Sequence, residues 1–299
     1  MKVFLFPGQG SQYVGMAGNV ADQLAARQLF QRAGDVLGFD LWSLVQDGDE
    51  ATLTRTENTQ PALFVTEMAW VQALTTRNVA CDAAAGHSLG EFSALCSAGV
   101  FSFEDGVRLV RHRGEIMARA ASNSPGTMAA IMGLGDSDLQ TVLAEGRAVG
   151  VVEVANYNAP DQTVVSGETA AVDRVMAALR TMGRGRAIKL RVGAPFHSSI
   201  MAGGAAEFGQ LLAEILLSKP RFPVVNNVAA VAESEPEAIR QNLIAQFSHP
   251  VQWVRTMDVL ARMGVGEYLE VGPKNVLATI ARKVVHGQKV SAVEEQTWD

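Results

Sequence analysis

Two hydrophobic periods organise the chain. Residues 2–6 (KVFLF) carry an unbroken apolar run, 3–6, closed by Pro7-Gly8, which predicts a short buried strand ending in a turn. Residues 22–37 and 60–74 place apolar side chains at helical spacing. Residues 82–86 are a small-residue strand that leads at once into a helix at 89–97. A longer helix follows at 103–120, and 122–126 (SNSPG) reads as a loop. Strands alternating with helices predict a parallel sheet with crossover helices.

The rhythm then changes. Strand patterns at 127–132, 151–155, 162–166 and 187–192 are separated by helix patterns at 136–145 and 170–182, with a turn at 156–161. The order β-α-β-β-α-β is the split, ferredoxin-like arrangement. Residues 126–195 are therefore expected to form a small domain inserted into a larger α/β domain made of 1–125 and 196–299. Beyond Gly193-Ala194-Pro195 the pattern predicts helices at 198–217, 236–246, 251–263 and 275–285, with strands at 224–228 and 267–271. After residue 285 it carries no readable signal.

Composition narrows the classes. With 299 residues, 48% hydrophobic and 19% charged, the chain can bury a large core and does not have a disordered composition. A formal net charge of -6 argues against nucleic-acid binding. No apolar run reaches the ~18 residues of a membrane span. The N-terminal run is too short for a secretion signal. Two cysteines make no disulfide framework, so a soluble protein of the reducing cytoplasm is expected.

The sharpest local signal is Gly86-His87-Ser88-Leu89-Gly90. It fits G-x-S-x-G in the strand-to-helix context that motif needs. Small neighbours allow a tight turn that lifts the serine hydroxyl above the sheet, beside the free N–H groups of a helix start. A plain alternative is a glycine-flanked helix start with Ser88 near its N-cap. A serine nucleophile needs a base. Among His87, His112, His197, His249 and His286, His197 suits best, since it follows a Gly-Ala-Pro-Phe turn; it also reads as a loop histidine packed under Phe196.

The chain resembles the malonyl-CoA:acyl-carrier-protein transacylases, the discrete acyltransferases of fatty-acid and polyketide synthesis. The motifs are Phe6-Pro7-Gly8-Gln9-Gly10-Ser11-Gln12, Thr59-Gln60-Pro61-Ala62-Leu63, Gly86-His87-Ser88-Leu89-Gly90-Glu91, Asn156-Tyr157-Asn158-Ala159-Pro160, Gly193-Ala194-Pro195-Phe196-His197-Ser198 and Glu270-Val271-Gly272-Pro273. They run in the family's order from residue 3 to about residue 283. The resemblance implies an α/β-hydrolase-like large domain with a ferredoxin-like insertion, as the strand order also suggests. It implies Ser88 as nucleophile, His197 as general base, and an oxyanion hole of the Gln9 and Leu89 main-chain amides. It also implies a main-chain carbonyl at Gln246, in place of a triad carboxylate, to orient the histidine. No acid is an obvious partner between Ser88 and His197. Gln60, Asn156 and Phe196 are candidate contacts for the acyl pocket, CoA or carrier protein.

Arg113 stands out on periodicity. On the helix at 103–120, Glu104, Arg108, Arg111, Glu115 and Arg119 share one face. Arg113 sits opposite, among Leu109, Val110, Ile116 and Met117. A guanidinium there needs an anion, either a buried acid or a substrate carboxylate held in bidentate fashion. The family's carboxylate-binding arginine falls at this position, which favours the substrate and hence malonyl. Phe196 resembles the malonyl-preferring members, where its ring would crowd a 2-methyl group.

Arg180, Arg184, Arg186, Lys189 and Arg191 form a run with no acid among them, a candidate docking patch for an acidic carrier protein. Arg282, Lys283 and Lys289 are candidates to extend it or to meet CoA phosphates. The expected reaction is ping-pong transfer of malonyl from malonyl-CoA to the phosphopantetheine thiol of an acyl carrier protein, with no metal or redox cofactor, by a monomer. The alternatives are a hydrolase that clears acyl groups from carrier proteins, an acyltransferase for a different extender unit, a non-catalytic carrier-binding module and a general esterase. Arg113 argues against the hydrolase and the esterase. The presence of both Ser88 and His197 argues against the module.

Overall fold

The computed structural model describes residues 1–190 and 192–297. Two sheets organise it. The first holds β1 (Lys2–Phe6), β2 (Ala83–Gly86), β7 (Val224–Val225), β8 (Glu267–Glu270) and β9 (Lys289–Ala292) in the order β7-β2-β1-β8-β9, every pair parallel. Alternate side chains of β1 enter different cores. Phe4 and Phe6 join one with Trp70, Phe92 and Phe247; Val3 and Leu5 join the other with Trp253, Tyr268 and Leu277. That two-sided burial explains why β1 reads as unbroken apolar sequence rather than as an alternation.

The helices follow the predicted plan with corrections. They are α1 (Leu24–Leu37), α2 (Leu41–Asp47), α3 (Glu50–Thr54), α4 (Thr56–Thr76), α5 (Gly90–Ser97) and α6 (Phe103–Asn123) in the first part. After β3 (Gly126–Met132) come α7 (Asp136–Arg147), β4 (Val152–Ala159), β5 (Gln162–Glu168), α8 (Thr169–Met182) and β6 (Arg186–Lys189). The last part holds α9 (Ala202–Glu214), α10 (Pro236–Ala245), α11 (Trp253–Arg262) and α12 (Val276–Val284). The short α2 and α3 escaped prediction because each is set by a cap rather than by a stripe. Asp40 accepts from Ser43 N at 3.0 Å, and Asp49 from Thr52 N at 2.8 Å. α4 begins four residues before the predicted start and carries Pro61 inside it. Proline has no N–H for the Glu57 carbonyl; Arg111 on α6 supplies one instead, at 2.9 Å. That bond ties α4 to α6 beside Gln60 and Arg113.

The second sheet has the order β4-β5-β3-β6, all antiparallel, which is the ferredoxin-like topology. α7 and α8 cover one face through Leu143, Val172 and Val175. Met128, Ala130, Ala155 and Val164 on the other face join the main core. Residues 156–159, expected in a turn, continue β4, because the strand is held from outside the sheet: Tyr157 N donates to the Val251 carbonyl at 2.9 Å and Val251 N to that of Ala155 at 2.8 Å. β6 is shorter than the predicted 187–192. α6 runs to Asn123, into the expected loop, and the strand expected at 224–228 ends at Val225. The helix expected from 198 starts as a 3-10 turn and becomes α9 only at Ala202. β9 follows the unreadable point and extends the parallel sheet.

Candidate active site

The loops after β1, β2 and β7 meet at the carboxyl ends of the parallel strands, where ligands bind in open α/β sheets. Ser88 lies between β2 and α5 in left-handed backbone geometry, at φ 54°. A non-glycine residue there is strained, and the neighbours permit it. A Cβ on Gly86 would lie 1.9 Å from the Gly90 carbonyl carbon, and one on Gly90 would lie 2.0 Å from the Phe6 oxygen. The turn is therefore as tight as the elbow motif requires.

Asn227, just past β7, clamps this turn. Its Oδ1 accepts from Ser88 N at 2.6 Å, its Nδ2 donates to the Gly86 carbonyl at 2.7 Å, and its main-chain N donates to Glu91 Oε2 at 3.1 Å.

Ser88 Oγ lies 2.7 Å from His197 Nε2. His197 Nδ1 lies 2.8 Å from the Gln246 carbonyl oxygen. A carbonyl only accepts, so Nδ1 carries the proton and Nε2 is left as the acceptor facing the serine. Burial first and the Arg113 charge second pull the imidazole down to about 3, so it is neutral at physiological pH. His87 also lines the cavity at Ser88, but its ring is engaged elsewhere: its Nε2 lies 2.9 Å from Asn158 Oδ1, and the ring packs against Trp253.

Arg113, 2% exposed, reaches the serine from α6. Its Nη2 donates to Ser88 Oγ at 3.0 Å and to Gln246 Oε1 at 2.8 Å; its Nη1 donates to Gln60 Oε1 at 2.9 Å. Its Nε is buried without a partner. No carboxylate touches it among the described residues. Phe92 and Phe247 stand 5.5 and 5.7 Å from the guanidinium. Burial pulls Arg113 down to about 9 against the pull of Glu91, so it remains a cation at neutral pH.

Gln9, Ser88, Leu89, Arg113, Asn156, Phe196 and His197 share the lining of a cavity of about 110 Å³. Met117, Met128, Leu190 and Val192 supply apolar wall. A more open depression of about 600 Å³ over α1 and α2 shares no residue with it. The main-chain N–H groups of Gln9 and Leu89 donate to no acceptor among the described residues.

The elbow, His197, Arg113, Gln9, Leu89, Asn156, Phe196 and the Gln246 carbonyl thus converge as the sequence predicted. Gln60 does not line the cavity; it is buried behind Arg113 and holds the guanidinium. The sequence reading missed Asn227, Glu91 and the Gln246 side chain. Glu91 Oε2 accepts from Gln246 Nε2 at 2.7 Å, so an acid does lie close to the dyad: one side-chain amide separates it from Arg113, and the same residue's main-chain carbonyl meets His197. An acid amid Gly90, Phe92, Ala94 and Leu95 was the available signal for it, as was an asparagine pair closing a strand for Asn227.

The basic run is partly neutralised. Arg184 pairs with Asp138 at 3.1 Å and Lys189 with Asp173 at 2.7 Å; Arg180 and Arg186 are exposed and form no ion pair among the described residues, and Arg191 lies outside the described residues. Arg282 pairs with Glu295, and Lys289 with Glu267 at 2.9 Å, which draws both away from the free-cation role expected of them.

The acyl transferase domain family matches residues 3–296. The malonyl CoA-acyl carrier protein transacylase of Escherichia coli K12 is 40% identical over 98% of this chain and 95% of its own length. An acyl carrier protein S-malonyltransferase from Vibrio cholerae superposes with a TM-score of 0.93 at 39% identity, over 98% of this chain and 96% of that one. A malonyl-transacylase solved in complex with its type II PKS acyl-carrier protein gives 0.94 at 39% identity, over 98% and 95%. With the serine elbow, the histidine and the parallel sheet already in place, the chain belongs to the acyl transferase family, and within it to the malonyl CoA-acyl carrier protein transacylases.

Proposed function

We propose that this acyltransferase moves a malonyl group from malonyl-CoA to the phosphopantetheine thiol of an acyl carrier protein through an acyl-Ser88 intermediate. The observation that carries the substrate assignment is Arg113: a buried cation aimed at Ser88 Oγ, with no carboxylate in contact among the described residues. Such a group fits the free carboxylate of a dicarboxylic half-thioester lying beside the nucleophile.

Ser88 Oγ attacks the thioester carbonyl while His197 Nε2 takes its proton, and the new C–O bond forms as the carbonyl π pair moves onto oxygen. The Gln9 and Leu89 amides receive that oxyanion; one preorganised donor of this kind contributes about 3 kcal/mol to a transition state. The C–S bond then breaks, and the CoA thiolate leaves with the proton from His197. The carrier-protein thiol gives its proton to His197, attacks acyl-Ser88, and the steps reverse. Gln246 holds the tautomer this requires. Every proton and charge is handled by these groups, so the cycle calls for no cofactor.

The segment 126–195 acts as the inserted small domain within 1–125 and 196–299. Arg180, on α8, and Arg186, on β6, contribute to carrier docking. The protein works in the cytoplasm as a monomer; among the described residues no helix is long and apolar enough to cross a membrane.

Intact-protein mass after mixing with malonyl-CoA, acetyl-CoA and methylmalonyl-CoA tests the chemistry. A malonyl adduct is expected, absent in Ser88→Ala, with the preference for malonyl over acetyl lost in Arg113→Ala. No adduct from any CoA ester, together with release of free acid from acyl carrier proteins, would overturn transfer in favour of hydrolysis.

A further inference from the structure

We infer that Glu91 is the resident counter-charge of Arg113, coupled to it through the Gln246 amide, and that it takes up a proton from solvent when an acyl carboxylate takes over the guanidinium. The inference rests on the reading that Arg113 receives the malonyl carboxylate.

Geometry carries it. Among the described residues, every acceptor around Arg113 is neutral: Gln60 Oε1, Ser88 Oγ and Gln246 Oε1. A buried cation is costly without a compensating charge. The Gln246 amide has one donor end and one acceptor end. Its Nε2 donates to Glu91 Oε2 at 2.7 Å and to the Ser88 carbonyl at 3.1 Å, which turns Oε1 toward Arg113. Glu91 therefore orients the amide and balances the charge across it.

The other titratable groups around α5 do not replace Glu91. Glu67 on α4, beside Ser93, is pushed well above the usual carboxylate value by burial, which disfavours its charged form. His197 is neutral, burial pulls His87 below the ordinary histidine value, and Cys96 on α5 itself is pushed up to about 12. Asn227 and Gln246 carry no charge. Burial likewise pushes Glu91 up to about 7, against the pull of Gln246, Asn227 and Arg113. An arriving carboxylate shares the Arg113 charge and adds a like charge nearby. Both effects raise Glu91 further, so malonyl binding brings in a proton and weakens as pH rises above about 7. An acetyl group brings no charge and carries no such slope.

The test compares malonyl-CoA with acetyl-CoA as donors for Ser88 acylation from about pH 6 to about pH 9. One coupled proton raises the malonyl-CoA KM by up to ~tenfold per pH unit above about 7 and leaves acetyl-CoA flat. Glu91→Gln keeps an oxygen for the Gln246 and Asn227 donors and should flatten the malonyl slope. Calorimetry of malonyl-CoA binding to Ser88→Ala, in two buffers of different ionisation heat, should show proton uptake that acetyl-CoA lacks. Parallel profiles for the two donors, an unchanged slope in Glu91→Gln or no proton uptake overturns the inference. If Glu91→Gln does not fold, the wild-type profiles and the calorimetry decide. Arg113→Ala separates the two claims. Undiminished malonyl preference there overturns the carboxylate reading itself; preference lost there, with the slope kept in Glu91→Gln, overturns only the counter-charge.

Discussion

Replacing Asn227 with alanine should damage both stability and catalysis, although Asn227 touches no reacting atom. The substitution removes the acceptor for Ser88 N and the donor for the Gly86 carbonyl. Each buried group left unpaired costs about 1–3 kcal/mol, so the loss is roughly 2–6 kcal/mol before any water fills the gap. At about 2–4 °C per kcal/mol for chains approaching this size, Tm should fall by at least ~4 °C. Ser88 also loses the bond that holds its left-handed backbone, and a displacement of ~1 Å at the nucleophile costs about 10²-fold in rate. Thermal unfolding and the time course of malonyl-Ser88 formation by mass measure the two effects. Asn227→Asp sharpens the test. Protonated, the aspartic acid can accept from Ser88 N and donate to the Gly86 carbonyl; ionised, it sets an oxygen against that carbonyl. This variant should approach wild type at low pH and fail as pH rises. A Tm within about 1 °C of wild type and a loading rate within about threefold in Asn227→Ala would refute the clamp, since even one unpaired group exceeds that cost.

Three further outcomes follow from the same geometry. His197 is held down to about 3 and must be neutral to accept the serine proton, so acetyl-Ser88 formation should show no histidine limb between about pH 5 and about pH 8; a midpoint near the ordinary histidine value would contradict the burial argument. Arg113→Lys should lower kcat/KM for malonyl-CoA by about 10²-fold or more, and that for acetyl-CoA far less. One ammonium cannot keep the Gln60 and Gln246 contacts and also meet a carboxylate in bidentate fashion; equal losses for both donors would speak against this. Gly90→Ala should fail to give soluble folded protein, because its Cβ would lie 2.0 Å from the Phe6 oxygen; a Tm near wild type would show that the elbow can relax.

Most of the architecture was legible because its causes are local. Apolar runs, small-residue strands and capped amphipathic helices specify their own conformation, and their order specifies a parallel sheet followed by a split βαβ unit. Several of the differences depend on partners distant in sequence. Residues 156–159 are strand because Val251 pairs beside them, and β9 forms on the edge offered by β8.

The site divides in the same way. The sequence by itself determined the elbow, since G-x-S-x-G between a strand and a helix admits few backbone paths, and it marked Arg113, since a charge on an apolar stripe must meet an anion. By resemblance it also identified His197 and the Gln246 carbonyl. Only the tertiary structure decided that Glu91 meets the amide that holds Arg113, that Gln60 braces the guanidinium instead of lining the cavity, and that Asn227 secures the turn. Those roles belong to single polar side chains brought together from α4, α5, α6, the loop after β7 and the end of α10. Periodicity records which face of an element is buried; it holds no record of which polar group on another element will meet it there.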